Sequence, residues 1–160
     1  MLTTKYSILL EKVIIALNAN NNALKGLEAS CNILREGFDH YDWVGFYFAD
    51  HKAKILHLKV FSGIPTEHTT IPFGKGICGQ VAISNKNFMA PNVQEQDNYI
   101  SCNINVKSEL VIPLFLEEKN IGQIDIDSNT LDSFSKQDEL LLEDCCELIS
   151  KMYGSSLLSL

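Results

Sequence analysis

Apolar positions along the chain change their spacing, and the changes mark out the elements. Over residues 3–18, Ile8, Leu9, Val13, Ile14 and Leu17 recur at helical spacing, which predicts an amphipathic helix. The polar run Asn18-Ala19-Asn20-Asn21-Asn22 interrupts it. Leu24, Leu27, Cys31, Ile33 and Leu34 then resume the pattern as far as Gly37, a stop signal. From Asp42 the period becomes two: Val44, Phe46 and Phe48 share one strand face, Trp43, Gly45 and Tyr47 the other. A second strand is predicted over 54–61, after the turn Asp50-His51-Lys52. Residues 62–72, punctuated by Gly63, Pro65 and Pro72, read as loop with room for a short strand. Residues 88–93 read as a short strand, and 94–105 as a long polar loop.

The stretch 108–128 carries the strongest signal. Two apolar runs, 110–116 and 121–126, flank the charged tip Glu117-Glu118-Lys119-Asn120, a hairpin pattern. A last helix is predicted over 135–153, opened by Ser135 with Asp138 in a capping-box arrangement. Its apolar stripe is Leu140, Leu141, Cys145, Leu148, Ile149 and Met152, and the tail 154–160 is expected to fray. The chain therefore reads as one domain, 1–160, with helices over about 3–36, sheet and loops over about 41–129 and a C-terminal helix over about 135–153. The order implies an α+β fold, an antiparallel sheet with the N- and C-terminal helices packed on one face. The other face would carry a pocket covered by loops.

Acidic residues fall oddly within the hairpin. Asp125 and Asp127 alternate with Ile124 and Ile126 in the second strand, and Glu109 enters the first. Strands are depleted in Asp, and two on one face would sit roughly 6.7 Å apart. Either water screens that face at a sheet edge, or a cation or a shared proton relieves the repulsion. The face bearing Trp43 and Tyr47 around Gly45 has two readings as well, plain packing or an aromatic wall for a ligand.

Composition narrows the field. A net charge of −7 disfavours nucleic acid and anionic membranes as partners, and no apolar run approaches the ~20 residues of a membrane span. Without a signal-peptide pattern, a cytoplasmic setting is the expectation. The five cysteines include no CxxC and no zinc-type spacing with the four histidines, so no metal site is expected. Cys31 and Cys145 fall on helical apolar stripes and read as core, with Cys146 at the border. Cys102 lies in the polar loop, either a reactive thiol or incidental. Cys78 lies in Gly74-Lys75-Gly76-Ile77-Cys78-Gly79, ahead of a helical pattern over 80–84. That run matches GxGxxG, but a proline-bearing loop precedes it rather than a buried strand, so a dinucleotide site is not expected. What remains is a helix N-terminus offering N–H groups to an anion and favouring a thiolate.

The stretches DWVGFYF (42–48), IPFGKGICG (71–79), SELVIPL (108–114) and IGQIDIDS (121–128) resemble GAF domains, specifically the free methionine-(R)-sulfoxide reductases. The resemblance implies a GAF-like fold, no metal, no organic cofactor, and free methionine-(R)-sulfoxide as substrate. By resemblance Cys102 attacks the sulfoxide sulfur, a pocket acid such as Glu109 protonates the departing oxygen, and Cys78 resolves the sulfenic acid to a disulfide. A thioredoxin-type reductant would restore both thiols. Trp43, Tyr47, Glu109, Asp125 and Asp127 would line the substrate site, with the N–H groups around Ile77 and Gly79 at the substrate carboxylate. The terminal helices are compatible with a homodimer. Where family members commonly carry a further cysteine, this chain has Thr66-Glu67-His68-Thr69. The alternative reading is a non-catalytic, stand-alone GAF sensor for a small zwitterionic ligand.

Overall fold

The structure, a computed structural model, describes residues 1–97, 99 and 104–160. Two helices, α1 (Thr4–Ala19) and α2 (Ala23–Gly37), precede strands β1 (Trp43–Asp50), β2 (Ile55–Ser62) and β3 (Thr70–Pro72). Helix α3 (Gly76–Ser84) and strand β4 (Phe88–Ala90) follow, then the hairpin β5 (Ser108–Leu116) and β6 (Lys119–Ser128), then α4 (Lys136–Tyr153). The strands form one six-stranded sheet in the order β3-β2-β1-β6-β5-β4, with antiparallel neighbours throughout. The α+β architecture read from the sequence is the one observed.

Alternation along the strands divides the interior in two. Val44, Phe46 and Phe48 of β1, Leu110, Ile112 and Leu114 of β5, and Ile124 and Ile126 of β6 face α1, α2 and α4 in one core. Cys31, Cys145 and Cys146 lie in that core, and burial pushes the Cys145 thiol up to about 12. The opposite face builds a second, smaller core from Trp43, Tyr47, Leu56, Ile77, Cys78, Val81 and Val111, under α3 and the connecting segments.

Several local expectations are corrected. β6 is no wet edge strand: it runs between β1 and β5 at the centre of the sheet. The hairpin tip is two residues rather than four, because Glu117 and Glu118 both take left-handed backbone angles (φ 50° and 67°) and Lys119 already pairs with Leu116. β4 stops at Ala90, and residues 93–95 form a 3₁₀ turn whose start is capped by the Asn92 side chain. The proline at 91 has no N–H to extend the ladder. Helix α3 begins at Gly76, not at 80, so Cys78 is its third residue. The tail does not fray either: residues 154–159 form a 3₁₀ helix that buries Leu157. Ser135 and Asp138 make the anticipated capping box of α4.

Candidate active site

Strand register assembles the acidic face. Trp43 pairs with Asp127 and Gly45 with Asp125 across β1 and β6, while Glu109 pairs with Asp127 and Val111 with Asp125 across β5 and β6. Directly opposed residues on adjacent strands share a face. Trp43, Asp127 and Glu109 therefore form one row across three strands, and Gly45, Asp125 and Val111 form the next. None of these carboxylates is exposed: Glu109 is 5%, Asp125 1% and Asp127 2% accessible.

Helix α3 lies over this floor and brings in the thiol. The Gln123 amide, one alternation step from Asp125 on the same face, donates Nε2–H to the Cys78 carbonyl at 3.1 Å. The Cys78 Sγ sits 3.7 Å from a Glu109 carboxylate oxygen, a thiol-to-carboxylate hydrogen bond. Sγ of Cys78 and one carboxylate oxygen each of Glu109 and Asp125 lie within 4.8 Å of one another. Around them is a cavity of only about 10 Å³, lined by Ile71, Lys75, Gly76, Ile77, Cys78, Glu109 and Asp125. A second cavity, of about 110 Å³, opens at the other end of the face between Asp42, Trp43, Ile64, Thr66, Val106, Asp127 and Asn129.

The electrostatics follow from burial. Loss of hydration, the largest influence, raises Asp125 above the ordinary carboxylate range. Burial also raises Asp127 well above it, aided by the negative charges of Asp125 and Asp42. Two buried carboxyl groups on this face are thereby disposed to hold protons at pH values where exposed aspartates have lost theirs, and so to donate them.

The aromatic residues are placed differently from a simple open wall. The Trp43 indole folds over Gly45, where an added β-carbon would lie 2.3 Å from its ring. It fills the gap the sequence left between the rings of Trp43 and Tyr47, whose centroids are 6.4 Å apart. Trp43 donates Nε1–H to the Ile64 carbonyl at 3.0 Å and stacks on Phe61. Tyr47 donates its hydroxyl to the His68 carbonyl at 2.9 Å. Both polar handles thus hold down the 62–70 segment, leaving their ring surfaces to the face beneath.

The glycine run opens α3. Gly79 donates its N–H to the Lys75 carbonyl at 2.9 Å, which takes that donor away from an anion. Its role here is close approach: an added β-carbon would lie 2.6 Å from the Pro72 carbonyl oxygen. Ile77, second residue of α3 and 2% exposed, belongs to the first turn, where N–H groups have no intrahelical partner. Cys102 lies outside the described residues.

Gln123 and Asp42 were missed in the sequence. Alternation back from Asp125 could have found Gln123. Asp42, which accepts the Asn129 N–H at 2.7 Å, gives no pattern of its own. Larger grooves lie elsewhere. One of about 470 Å³ runs between β5 and α4 past Phe115, Glu143 and Cys146, but it is remote from the thiol–carboxylate cluster.

Comparison with known proteins bears on this geometry. The profile of the GAF domain family matches residues 25–152. GAF domain-containing protein A of Dictyostelium discoideum is 34% identical, over 91% of this chain and 90% of its own. A protein named free methionine-R-sulfoxide reductase in Escherichia coli is 29% identical over 88% of each chain. Among solved structures, the free methionine-R-sulfoxide reductase of Neisseria meningitidis in complex with its substrate superposes with a TM-score of 0.89. It is 30% identical, with 97% of this chain and 92% of that one covered.

Proposed function

The chain belongs to the GAF domain family, and from that premise we propose that its pocket reduces free L-methionine-(R)-sulfoxide to methionine. The observation that carries this reading is the buried Cys78 thiol 3.7 Å from the Glu109 carboxylate, with Asp125 alongside. A sensor pocket has no need of a thiol packed against buried carboxyl groups, whereas sulfoxide reduction needs both. Relatives bearing the reductase name, in Escherichia coli and Neisseria meningitidis, support it.

In the proposed sequence the thiolate of Cys102 attacks the sulfoxide sulfur while a buried carboxylic acid, Glu109 or one of the aspartates, gives its proton to the oxygen. Methionine leaves, and the oxygen remains on Cys102 as a sulfenic acid. Cys78 then attacks that sulfur, releasing water and forming the 78–102 disulfide. The two electrons that reduced the substrate have come from the two thiols, and a thioredoxin-type dithiol returns them. Disulfide closure requires the Cα atoms of Cys78 and Cys102 to come within about 4.4–6.8 Å. Asp125 and Asp127 would counter the substrate ammonium, the rings of Trp43 and Tyr47 would pack its methyl end, and the first turn of α3 at Ile77 would meet its carboxylate. Free thiols of this kind fit a reducing, cytoplasmic setting. Among the described residues no helix is long and apolar enough to cross a membrane. A homodimer through the terminal helices completes the proposal.

The test is turnover of free methionine-(R)-sulfoxide coupled to thioredoxin oxidation. Activity should vanish in Cys102→Ser and fall to a single turnover in Cys78→Ser, and mass spectrometry should find a 78–102 disulfide after substrate is consumed without reductant. Thermal stabilisation by the substrate with no turnover would overturn the reductase reading in favour of a sensor.

A further inference from the structure

Before any substrate enters, the thiol–carboxylate cluster holds a buried carboxyl group poorly supplied with donors. Asp125 is 1% exposed; only the side chains of Glu109 and Cys78 stand close to its carboxylate oxygens, and neither meets them in good hydrogen-bond geometry. A buried polar atom left unsatisfied costs about 1–3 kcal/mol, so two on one carboxyl group call for a ligand. Asp125 lines the cavity of about 10 Å³ beneath α3. That is close to one water-sized sphere, too small for an organic molecule and of the size of a single ion.

The donors around it select among ions. Cys78 supplies a soft sulfur, Glu109 and Asp125 supply hard oxygens, and the three donor atoms lie within 4.8 Å of one another. Calcium and magnesium take six or more oxygen ligands, and a sulfur in the set disfavours both. Zinc takes sulfur at ~2.3 Å and carboxylate oxygen at ~2.0–2.2 Å in tetrahedral sites, which places neighbouring donors about 3.5 Å apart. The Cys78 to Glu109 separation of 3.7 Å already meets that. Two influences oppose a cation: the positive end of α3 and Lys75, exposed at the rim of the cavity. Three anionic ligands around a doubly charged ion outweigh them.

We propose that Cys78, Glu109 and Asp125 form a three-ligand zinc site in the reduced chain. On binding, the S–H bond of Cys78 is replaced by an S–Zn bond. The thiol proton and any carboxyl protons leave to water, with no change in oxidation state. Apparent affinity therefore rises with pH. Zinc binding stands apart from the reductase reading, except for one consequence: an occupied site would withhold Cys78 from disulfide formation and inhibit turnover.

The experiment uses the full chain, stripped with a chelator and reduced with a phosphine. Zinc is titrated against a chromophoric chelator, and cobalt(II) is titrated separately as a spectroscopic stand-in. One zinc per chain is expected, with a near-ultraviolet thiolate-to-cobalt charge-transfer band. Cys78→Ser should abolish the band, and Asp125→Asn and Glu109→Gln should each weaken zinc binding at least about tenfold, since even outer-shell changes cost 10–100-fold. Circular dichroism selects the variants that fold, and any one of the three suffices. Absence of stoichiometric zinc in the reduced chain would overturn the proposal. So would folded variants that bind zinc as tightly as the parent, or equal binding of magnesium. These readouts do not depend on activity, so inactivity toward methionine sulfoxide would leave them intact.

Discussion

A β-carbon on Gly45 would fall 2.3 Å from the Trp43 ring, and that ring is held by the Ile64 carbonyl and the face of Phe61. Gly45→Ala should therefore displace the indole and destabilise the fold by about 1–3 kcal/mol. Trp43 is the single tryptophan of the chain, so its emission reports the change directly, with a red shift expected. Two buried aspartates should respond to pH in opposite senses. Burial raises Asp127 well above the carboxylate range. Asp127 therefore binds its proton more tightly folded than unfolded, and stability falls as pH rises from about 3.9 through its raised folded value. Asp127→Asn should be stabilising at neutral pH, with the gain shrinking as the pH drops to about 4. Asp138 is the reverse case. Burial pushes it up, but hydrogen bonds from His40, the Ser135 N–H and the Tyr41 hydroxyl outweigh that and hold it low. Its contribution is full above the unfolded value of about 3.9 and is lost as pH falls through the lowered folded one. Asp138→Asn should thus destabilise at neutral pH, least in acid. Denaturant titrations of both variants over a pH series check the two signs.

At the scale of elements, the β5–β6 hairpin shows how a turn and a strand register depend on each other. A two-residue turn with both central residues left-handed matches the right-handed twist of the flanking strands. Glutamates at both positions carry a conformational cost that Asn-Gly would avoid. Replacing Glu117-Glu118 with Asn-Gly should raise stability by about 1–2 kcal/mol without changing the site, measured as a shift in the denaturation midpoint at constant slope. Register is what aligns Glu109 with Asp127, so a turn that lengthened by one residue would turn every acid of β6 into the opposite core. The alternation of Asp125 and Asp127 against Ile124 and Ile126 was plain in the sequence. The central position of β6 was not, because strand order depends on pairings between segments far apart in the chain.

For the whole molecule, the two cores sort the cysteines. Cys31 and Cys145 are fully buried and Cys146 nearly so on the helical face of the sheet, where burial raises all three thiols. Iodoacetamide at neutral pH should leave these three unmodified in the folded, reduced chain and label them only after denaturation, as peptide mass spectrometry would show. Labelling of Cys145 in the native state would contradict the packing of α4 on the sheet. Cys78 belongs to the opposite core beside Glu109, separated from those three by the sheet itself.

Periodicity alone determined the two N-terminal helices, the first strand, the hairpin and the capped last helix, because each buries a stripe or a face whose spacing is local. It also placed the isoleucines and the aspartates of β6 on opposite sides, since that follows from the geometry of any strand. Only the tertiary structure decided that this strand is central, that the Trp43 ring covers Gly45, and that Gly79 packs against the Pro72 carbonyl. It alone set Cys78 against Glu109, 31 positions away, and buried Asp125 beside both without good hydrogen-bond geometry. Those are relations between residues on different elements. Their physical origin is the pairing of β1, β6 and β5 and the seating of α3 over them, which no local spacing encodes.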